Sequence, residues 1–157
     1  MGNRYLDPLR KPPSNSIRLN PEHWSQMRAD VRERAPEEAC GLIAGRVNAV
    51  WEVIPVTNAL HSPVRYRMDP QEQLAAFNRI EELDLEIIAI YHSHPGGPDH
   101  PSPTDVAEAF YPEAVYLIWF RSEQDWDCRG FTISEEKVEE VPIYIAADWS
   151  AQSAQTY

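Results

Sequence analysis

The segment 86–91 is the part of the sequence that most restricts the fold. It is an almost wholly apolar run, rich in β-branched residues. Such a run is typical of a strand that is covered on both faces, because a strand with one face in water alternates between apolar and polar residues. The rest of the chain must therefore supply apolar helix faces that pack on both sides of a sheet.

Two helices with an apolar stripe are predicted before this strand. The first begins at Pro21 behind the N-cap Asn20 and runs to about Ala35, where a following proline disfavours helix. The second begins at Pro70 behind the cap Asp69. The apolar stripes recur at helical spacing and consist of Trp24, Met27 and Val31, and of Leu74, Phe77, Ile80 and Leu83.

The remaining apolar segments are predicted to be strands, with a third helix starting after Ser102-Pro103. The element order alternates early and then becomes rich in strands. This order predicts an α/β (α+β) fold in which a single mixed β-sheet is flanked by helices. The predicted strands are residues 16–19, 40–45, 49–56, 86–91, 114–120, 127–133 and 138–145.

The chain length predicts one domain, because 157 residues is close to the usual size of a single domain. We expect the folded domain to span residues 16–146. Residues 1–15 are polar and contain prolines, which predicts a loose N-terminal lead-in. Residues 147–157 are polar and small, which predicts a C-terminal tail.

Composition excludes several classes of function. The net charge of −11 repels phosphate backbones, so we expect no nucleic-acid partner. No stretch approaches the ~20 apolar residues of a membrane span, so we expect no membrane partner either. Two cysteines are too few for a disulfide framework. Residues 1–13 lack the apolar region of a signal peptide, which makes the cytoplasm the expected compartment.

The motif His92-Ser93-His94-Pro95 directly follows the apolar strand. Side chains at positions i and i+2 of a strand point to the same face, so the two imidazoles should project together. Asp105, at the start of the third predicted helix, is a candidate third ligand. Two His and one Asp leave a fourth position open for water, which is typical of catalytic zinc sites.

Each part of this pattern also has an ordinary structural explanation. The two histidines could be surface or hydrogen-bonding residues. Ser102 and Asp105 form a good helix capping box, in which the cap would use one carboxylate oxygen and a metal the other. Glu38 could be an exposed carboxylate at a helix end. Only the combination of these residues predicts a metal site. The other histidines are expected to be solvated or structural; they are His23, His61 and His100.

On these residues the chain resembles the JAMM metalloproteases, also called the MPN+ or Mov34/PAD-1 family, in their compact prokaryotic form. The family pattern stands here as Glu38-Ala39-Cys40-Gly41-Leu42, then His92-Ser93-His94-Pro95, then Ser102 and Asp105. The matching glutamate is Glu38 rather than its neighbour Glu37. The resemblance covers about residues 17–145 and implies a JAMM/MPN-like catalytic domain with a cytidine-deaminase-like architecture.

The resemblance also implies a role for each motif residue. His92, His94 and Asp105 would hold Zn²⁺. Glu38 would be the general base that takes a proton from the attacking water and gives it to the leaving amine. Ser102 would donate a hydrogen bond to the carbonyl oxygen as it becomes an oxyanion. Amide hydrolysis needs these three contributions: an activated water, a proton acceptor and an oxyanion donor.

The implied substrate is the C-terminal Gly-Gly tail of a ubiquitin-like or sulfur-carrier (β-grasp) protein. The segment 58–68 is either a wall of the substrate groove, with Asn58 and Tyr66 as candidate groove residues, or a plain surface loop. An alternative activity is a deubiquitinase-like isopeptidase that removes tags from lysines. An alternative of another class is a non-catalytic MPN scaffold. The oligomeric state stays open at this point.

Overall fold

The computed structural model describes residues 15–147, and almost all of the lead-in and the tail predicted above lies outside them. Four of the strands and all three helices come before residue 108. The elements in chain order are β1 (Ile17–Leu19), α1 (Pro21–Arg34), β2 (Cys40–Arg46), β3 (Ala49–Val56), α2 (Pro70–Glu82), β4 (Glu86–His94), α3 (Pro103–Ala107), β5 (Val115–Arg121), β6 (Trp126–Ser134), β7 (Lys137–Val141) and β8 (Ile143–Ile145).

All eight of these strands form one sheet, in the order β7-β6-β5-β4-β2-β3-β1-β8. The sheet is mixed, because β4 runs parallel to β5 but antiparallel to β2. The prediction of a single mixed sheet flanked by helices is therefore confirmed. The apolar strand β4 lies in the interior of the sheet, between β2 and β5, where both of its edges are hydrogen-bonded.

The two long helices cover opposite faces of the sheet. Met27 and Val31 of α1 pack in the same buried cluster as Tyr91 of β4. Ile80 of α2 packs in a second cluster with Ile90 of β4. Ile90 and Tyr91 are consecutive residues of β4 and enter different clusters, which explains why this strand is apolar on both faces. Within residues 15–147, no helix is both long and apolar enough to cross a bilayer.

The C-terminal strand differs from the prediction. A single strand over 138–145 is wrong, because the chain breaks at Pro142 into β7 and β8. Proline has no N–H to donate to a sheet ladder, so it interrupts the strand, while its carbonyl accepts a hydrogen bond from Ile17 N–H at 3.0 Å. β7 and β8 occupy the two opposite edges of the sheet although one residue separates them, so the sheet curls back on itself.

Strand β4 also runs three residues further than predicted. The prediction ended at residue 91, whereas β4 continues through His94. His92 pairs with Cys40 of β2, and His94 pairs with Phe120 of β5. The histidine motif therefore lies inside the sheet rather than in the loop after it, and its backbone is fixed from both sides.

Candidate metal centre

The last residues of β4 bring two imidazoles together. Nε2 of His92 and Nε2 of His94 are 3.0 Å apart. The two residues are 1% and 3% exposed, so both rings are shielded from bulk water. The predicted projection of both rings to one face of the strand is confirmed.

Helix α3 places a carboxylate against both imidazoles. Asp105 Oδ2 lies 3.0 Å from His94 Nε2 and 3.2 Å from His92 Nε2. Ser102 is the N-cap of this helix: its Oγ accepts a hydrogen bond from Asp105 N–H at 3.0 Å. In return, Asp105 Oδ2 accepts a hydrogen bond from Ser102 N–H at 2.8 Å. The expectation that cap and ligand set would use different carboxylate oxygens is wrong, because Oδ2 makes both contacts.

The chemistry of these donors fits a cation. His94 Nδ1 lies 2.7 Å from the Pro98 carbonyl, which can only accept, so Nδ1 carries a proton and Nε2 is left to face the Asp105 carboxylate. His94 Nε2 and Asp105 Oδ2 are 3.0 Å apart, a contact that a proton on Nε2 satisfies when no metal is bound and that a metal ion would satisfy in its place. Ligand atoms of a tetrahedral zinc site are about 3.3 Å apart. The observed spacing of 3.0–3.2 Å therefore suits a divalent metal.

Glu38 completes the centre from the segment just before β2. A carboxylate oxygen of Glu38 and one nitrogen of each imidazole all lie within 4.8 Å of one another, so the three residues could also hold a metal ion as a group. Asp105 Oδ2 is nearer to the imidazoles, which favours Asp105 as a ligand and leaves Glu38 beside the ligands. Glu37, by contrast, contacts His61 on the surface, with 3.3 Å between carboxylate oxygen and Nδ1.

The two carboxylates of the centre differ in protonation. Burial raises the pKa of Glu38 to about 7, against an opposing effect of His94. Burial also acts to raise the pKa of Asp105, but hydrogen bonds with His92 and His94 hold it well below its usual range. Glu38 can therefore exchange a proton near neutral pH, while Asp105 stays ionised. Environments that separate two carboxylates in this way are typical of sites with one acid–base residue and one ionised partner.

Ser93, between the two histidines, fixes the backbone beside Glu38. Its Oγ accepts a hydrogen bond from Ala39 N–H at 2.8 Å, and its own N–H donates to the Ala39 carbonyl at 3.0 Å. The sequence pattern alone assigns Ser93 no role. The signal that could have found it is a hydroxyl side chain in a strand position that is fully buried, because a buried hydroxyl needs a hydrogen-bond partner.

Asn58 organises the loop 57–69 between β3 and α2. Its side chain is 1% exposed and donates from Nδ2 to the carbonyls of Glu38 and Arg65, at 3.1 and 3.0 Å. Its Oδ1 accepts from the N–H groups of Leu60 and Arg67, at 3.0 and 3.1 Å. Because the side chain points into the protein, any contribution of Asn58 to a groove is through the shape of the loop.

Tyr66 extends from the same loop over the metal centre. Its ring stacks on the His92 imidazole, with centroids 4.6 Å apart and planes 28° from parallel. The next residue back, Arg65, forms an ion pair with Glu108 just after α3. Tyr66 is thus a wall of the centre, and the loop is tied to the helix that carries Asp105.

The other histidines lie apart from the centre. His23 caps α1 and contacts the Trp51 carbonyl through Nε2 at 3.2 Å. His100 pairs with its exposed neighbour Asp99 at 3.0 Å. Together with the surface position of His61, these contacts agree with the expected solvated or structural roles.

Solved structures of JAB1/MPN and JAMM proteins share this fold. The family model described as prokaryotic homologs of the JAB domain matches residues 20–132, and the chain belongs to that family. The family resemblance drawn from the motif is confirmed.

Three similar proteins illustrate the relationship. The CysO-cysteine peptidase of Mycobacterium tuberculosis is 36% identical over 126 residues, which are 78% of this chain and 86% of that protein. The desampylase of Pyrococcus furiosus is 32% identical over 133 residues, 84% of this chain and 93% of that protein. A solved structure from Desulfitobacterium hafniense has a TM-score of 0.76 at 34% identity and covers 84% of this chain and 94% of that one.

Proposed function

We propose that this chain is a zinc-dependent peptidase that hydrolyses the amide bond at the C-terminal Gly-Gly tail of a ubiquitin-like or sulfur-carrier (β-grasp) protein. The family is that of JAMM-type metallopeptidases, and two relatives carry the names CysO-cysteine peptidase and desampylase. The observation that carries the proposal is the convergence of His92, His94 and Asp105 on one point, with the Glu38 carboxylate beside them.

The metal ligands would be Nε2 of His92, Nε2 of His94 and a carboxylate oxygen of Asp105. When bound, Zn²⁺ supplies Lewis acidity, which lowers the pKa of water to about 7 and polarises the scissile carbonyl. The protein prepares this donor set in advance. His94 is held in the required tautomer by the Pro98 carbonyl, and Asp105 is held by the capping box of α3.

Glu38 would be the general base and then the general acid. Its carboxylate would accept a proton from the attacking water and deliver that proton to the nitrogen of the leaving amine as the C–N bond breaks. A pKa of about 7 in the buried position suits both steps, because a group that gains and loses a proton works best near the operating pH.

Ser102 would stabilise the oxyanion. Its Oγ is already an acceptor for Asp105 N–H, but this contact uses only a lone pair. The hydroxyl proton is left to donate to the substrate carbonyl oxygen as negative charge develops there. The helix cap and the catalytic role are therefore compatible in one residue.

The substrate tail would lie extended along the wall formed by the loop with Asn58 and Tyr66. Extended peptides bind through main-chain hydrogen bonds to exposed backbone, and side-chain walls restrict which residues fit. A Gly-Gly tail has no side chains, so its backbone could approach the Tyr66 ring closely.

Two alternatives use the same domain differently. An isopeptidase that removes tags from lysines would share every catalytic residue and differ only in the leaving amine, and the name of the desampylase relative favours keeping this option. A non-catalytic scaffold is disfavoured by the burial of Glu38, His92 and His94. Buried ionisable groups cost folding free energy, and a scaffold would gain nothing from them.

The test is a metal analysis combined with a cleavage assay on the full chain. The substrates are a Gly-Gly-tailed β-grasp protein extended by one amino acid and the same protein joined to a lysine side chain. We expect one zinc per chain and cleavage that stops with a chelator and returns with Zn²⁺. His100→Ala, which alters a surface histidine, is the control and should cleave normally. A chain that binds no zinc would overturn the proposal, and preference for the lysine conjugate would favour the isopeptidase.

A further inference from the structure

The two proposed histidine ligands are held in different ways. The Nδ1–H of His94 donates to the Pro98 carbonyl at 2.7 Å, which sets the tautomer and the ring orientation. The Nδ1 of His92 is buried and has no hydrogen-bond partner among residues 15–147. Histidine ligands almost always donate their second ring N–H to a carbonyl, carboxylate or water, because this bond orients the ring toward the metal. His92 therefore needs another source of orientation.

The Tyr66 ring lies where it can provide that orientation. It is stacked on the His92 imidazole, with 4.6 Å between centroids and 28° between planes. A ring stacked in this way restricts rotation of the imidazole about its second side-chain torsion. The His92 ring has a second ring contact, with His94, whose plane is inclined at 69° to it. This contact is made by a ring edge, so it does not duplicate the stacking on the face of the His92 ring.

Tyr66 is itself fixed on both sides through its backbone. The carbonyl of the preceding residue, Arg65, accepts from Asn58 Nδ2 at 3.0 Å. The N–H of the following residue, Arg67, donates to Asn58 Oδ1 at 3.1 Å. The same Asn58 also donates to the Glu38 carbonyl. One side chain therefore connects the backbone around Tyr66 to the backbone of a residue of the metal centre. A stacking partner must be rigid in order to position another ring, and this loop meets that requirement.

We propose that Tyr66 is a positioning residue for the metal ligand His92, and that its stacked ring takes the place of the hydrogen bond that usually orients a histidine ligand. This inference rests on the ligand set of the proposed function. It assigns the effect to the aromatic face of Tyr66 and not to its hydroxyl. Two variants separate these parts: Tyr66→Phe keeps the ring and loses the hydroxyl, whereas Tyr66→Leu keeps apolar bulk and loses the ring.

The experiment measures Zn²⁺ affinity of the full chain by competition with a chromophoric chelator. We expect Tyr66→Leu to bind Zn²⁺ about tenfold more weakly, the lower end of the range for loss of an orienting contact to a ligand. Tyr66→Phe should stay within about twofold of the unmodified chain. Tyr144→Leu is the matched control, because Tyr144 lies on β8, four strands away from β4, and should have no effect.

A second measurement separates positioning from general destabilisation. The chain loaded with Co²⁺ has visible absorption that reports ligand geometry. Tyr66→Leu should shift this spectrum, and Tyr66→Phe should restore that of the unmodified chain. Equal Zn²⁺ affinity and an equal spectrum in Tyr66→Leu would overturn the inference and leave the proposed function intact. A Tyr66→Phe variant as impaired as Tyr66→Leu would overturn it in favour of the hydroxyl. Failure of the unmodified chain to bind either metal would overturn the proposed function and this inference with it.

Discussion

Ser93 Oγ accepts a hydrogen bond from the N–H of Ala39 at 2.8 Å, across 54 residues of sequence. Ser93 lies between the two proposed histidine ligands, and Ala39 directly follows the proposed general base Glu38. The bond therefore joins β4, which carries the two histidines, to the segment that carries Glu38 just before β2. The relative position of these two parts of the centre thus depends on a fully buried residue that is neither a proposed ligand nor the proposed base.

Replacing Ser93 by alanine should weaken this connection. The variant leaves the buried Ala39 N–H without its side-chain acceptor, which costs about 1–3 kcal/mol of unfolding free energy. Because the position of Glu38 is loosened, turnover should fall while Zn²⁺ binding is retained. Denaturant unfolding and metal analysis check the two parts. Ser93→Thr keeps the hydroxyl and should stay near the unmodified chain in turnover; if it behaves as Ser93→Ala does, the hydroxyl is not responsible.

Metal binding and turnover should separate between two other variants. Glu38→Gln removes a proton acceptor and should retain one zinc per chain while cleavage falls below detection, because a general base cannot be replaced by an amide. His94→Ala should lose zinc. Metal analysis and the cleavage assay are run together on both proteins. Cleavage by Glu38→Gln at the unmodified rate would show that the base is another group.

Two substitutions at Ser102 distinguish the helix cap from the oxyanion role. Both Ser102→Ala and Ser102→Gly remove the hydroxyl, so both should lower kcat by about 10²–10³ if it stabilises the oxyanion. The cap responds differently: alanine costs about 1 kcal/mol of stability at an N-cap and glycine only a few tenths. Rate and thermal stability are measured for each. If the loss of rate follows the loss of stability, large for alanine and small for glycine, Ser102 acts only as the helix cap.

Gly41 should tolerate no side chain. A Cβ at this position would collide with the ring of Tyr91 and approach the Ile54 carbonyl oxygen to 2.7 Å. Both neighbours are part of the packed sheet, so Gly41→Ala should cost about 3 kcal/mol of unfolding free energy. Gly96→Ala is the control, since a Cβ there meets nothing within 4 Å. Equal unfolding free energies for the two variants, measured with denaturant, would contradict this account of the glycine in the motif.

The metal-free protein should lose stability with rising pH because of Glu38. Its pKa is raised by burial from 4.5 to about 7, so the unfolded chain ionises at lower pH than the folded one. Below pH 4.5 the carboxyl is protonated in both states and has no effect. As the pH rises to 7 and above, the unmodified chain loses about 3 kcal/mol relative to Glu38→Gln. Denaturant unfolding of chelator-treated proteins at pH 5 and pH 8 measures this difference, and a difference independent of pH would contradict it.

Local signals were sufficient for most of the fold. The caps Asn20 and Asp69 with their following prolines predicted both long helices, because capping depends on residues within one turn. Apolar patterning predicted the strands for the same reason. The prediction failed at Pro142, where one predicted strand is two. The pairing of β8 with β1 joins segments far apart in the chain, and no local pattern encodes it.

The sequence by itself determined the chemistry that is available: two histidines at strand spacing, a capping box that contains Asp105, and a glutamate before a small-residue strand. Only the tertiary structure decided how these groups act on one another. The sharing of Asp105 Oδ2 between cap and imidazoles, the bond from Ala39 to Ser93 and the stacking of Tyr66 on His92 are examples. Each is a distance between atoms on different elements. Such distances are set by the packing of the whole sheet and its helices, and short-range preferences do not contain them.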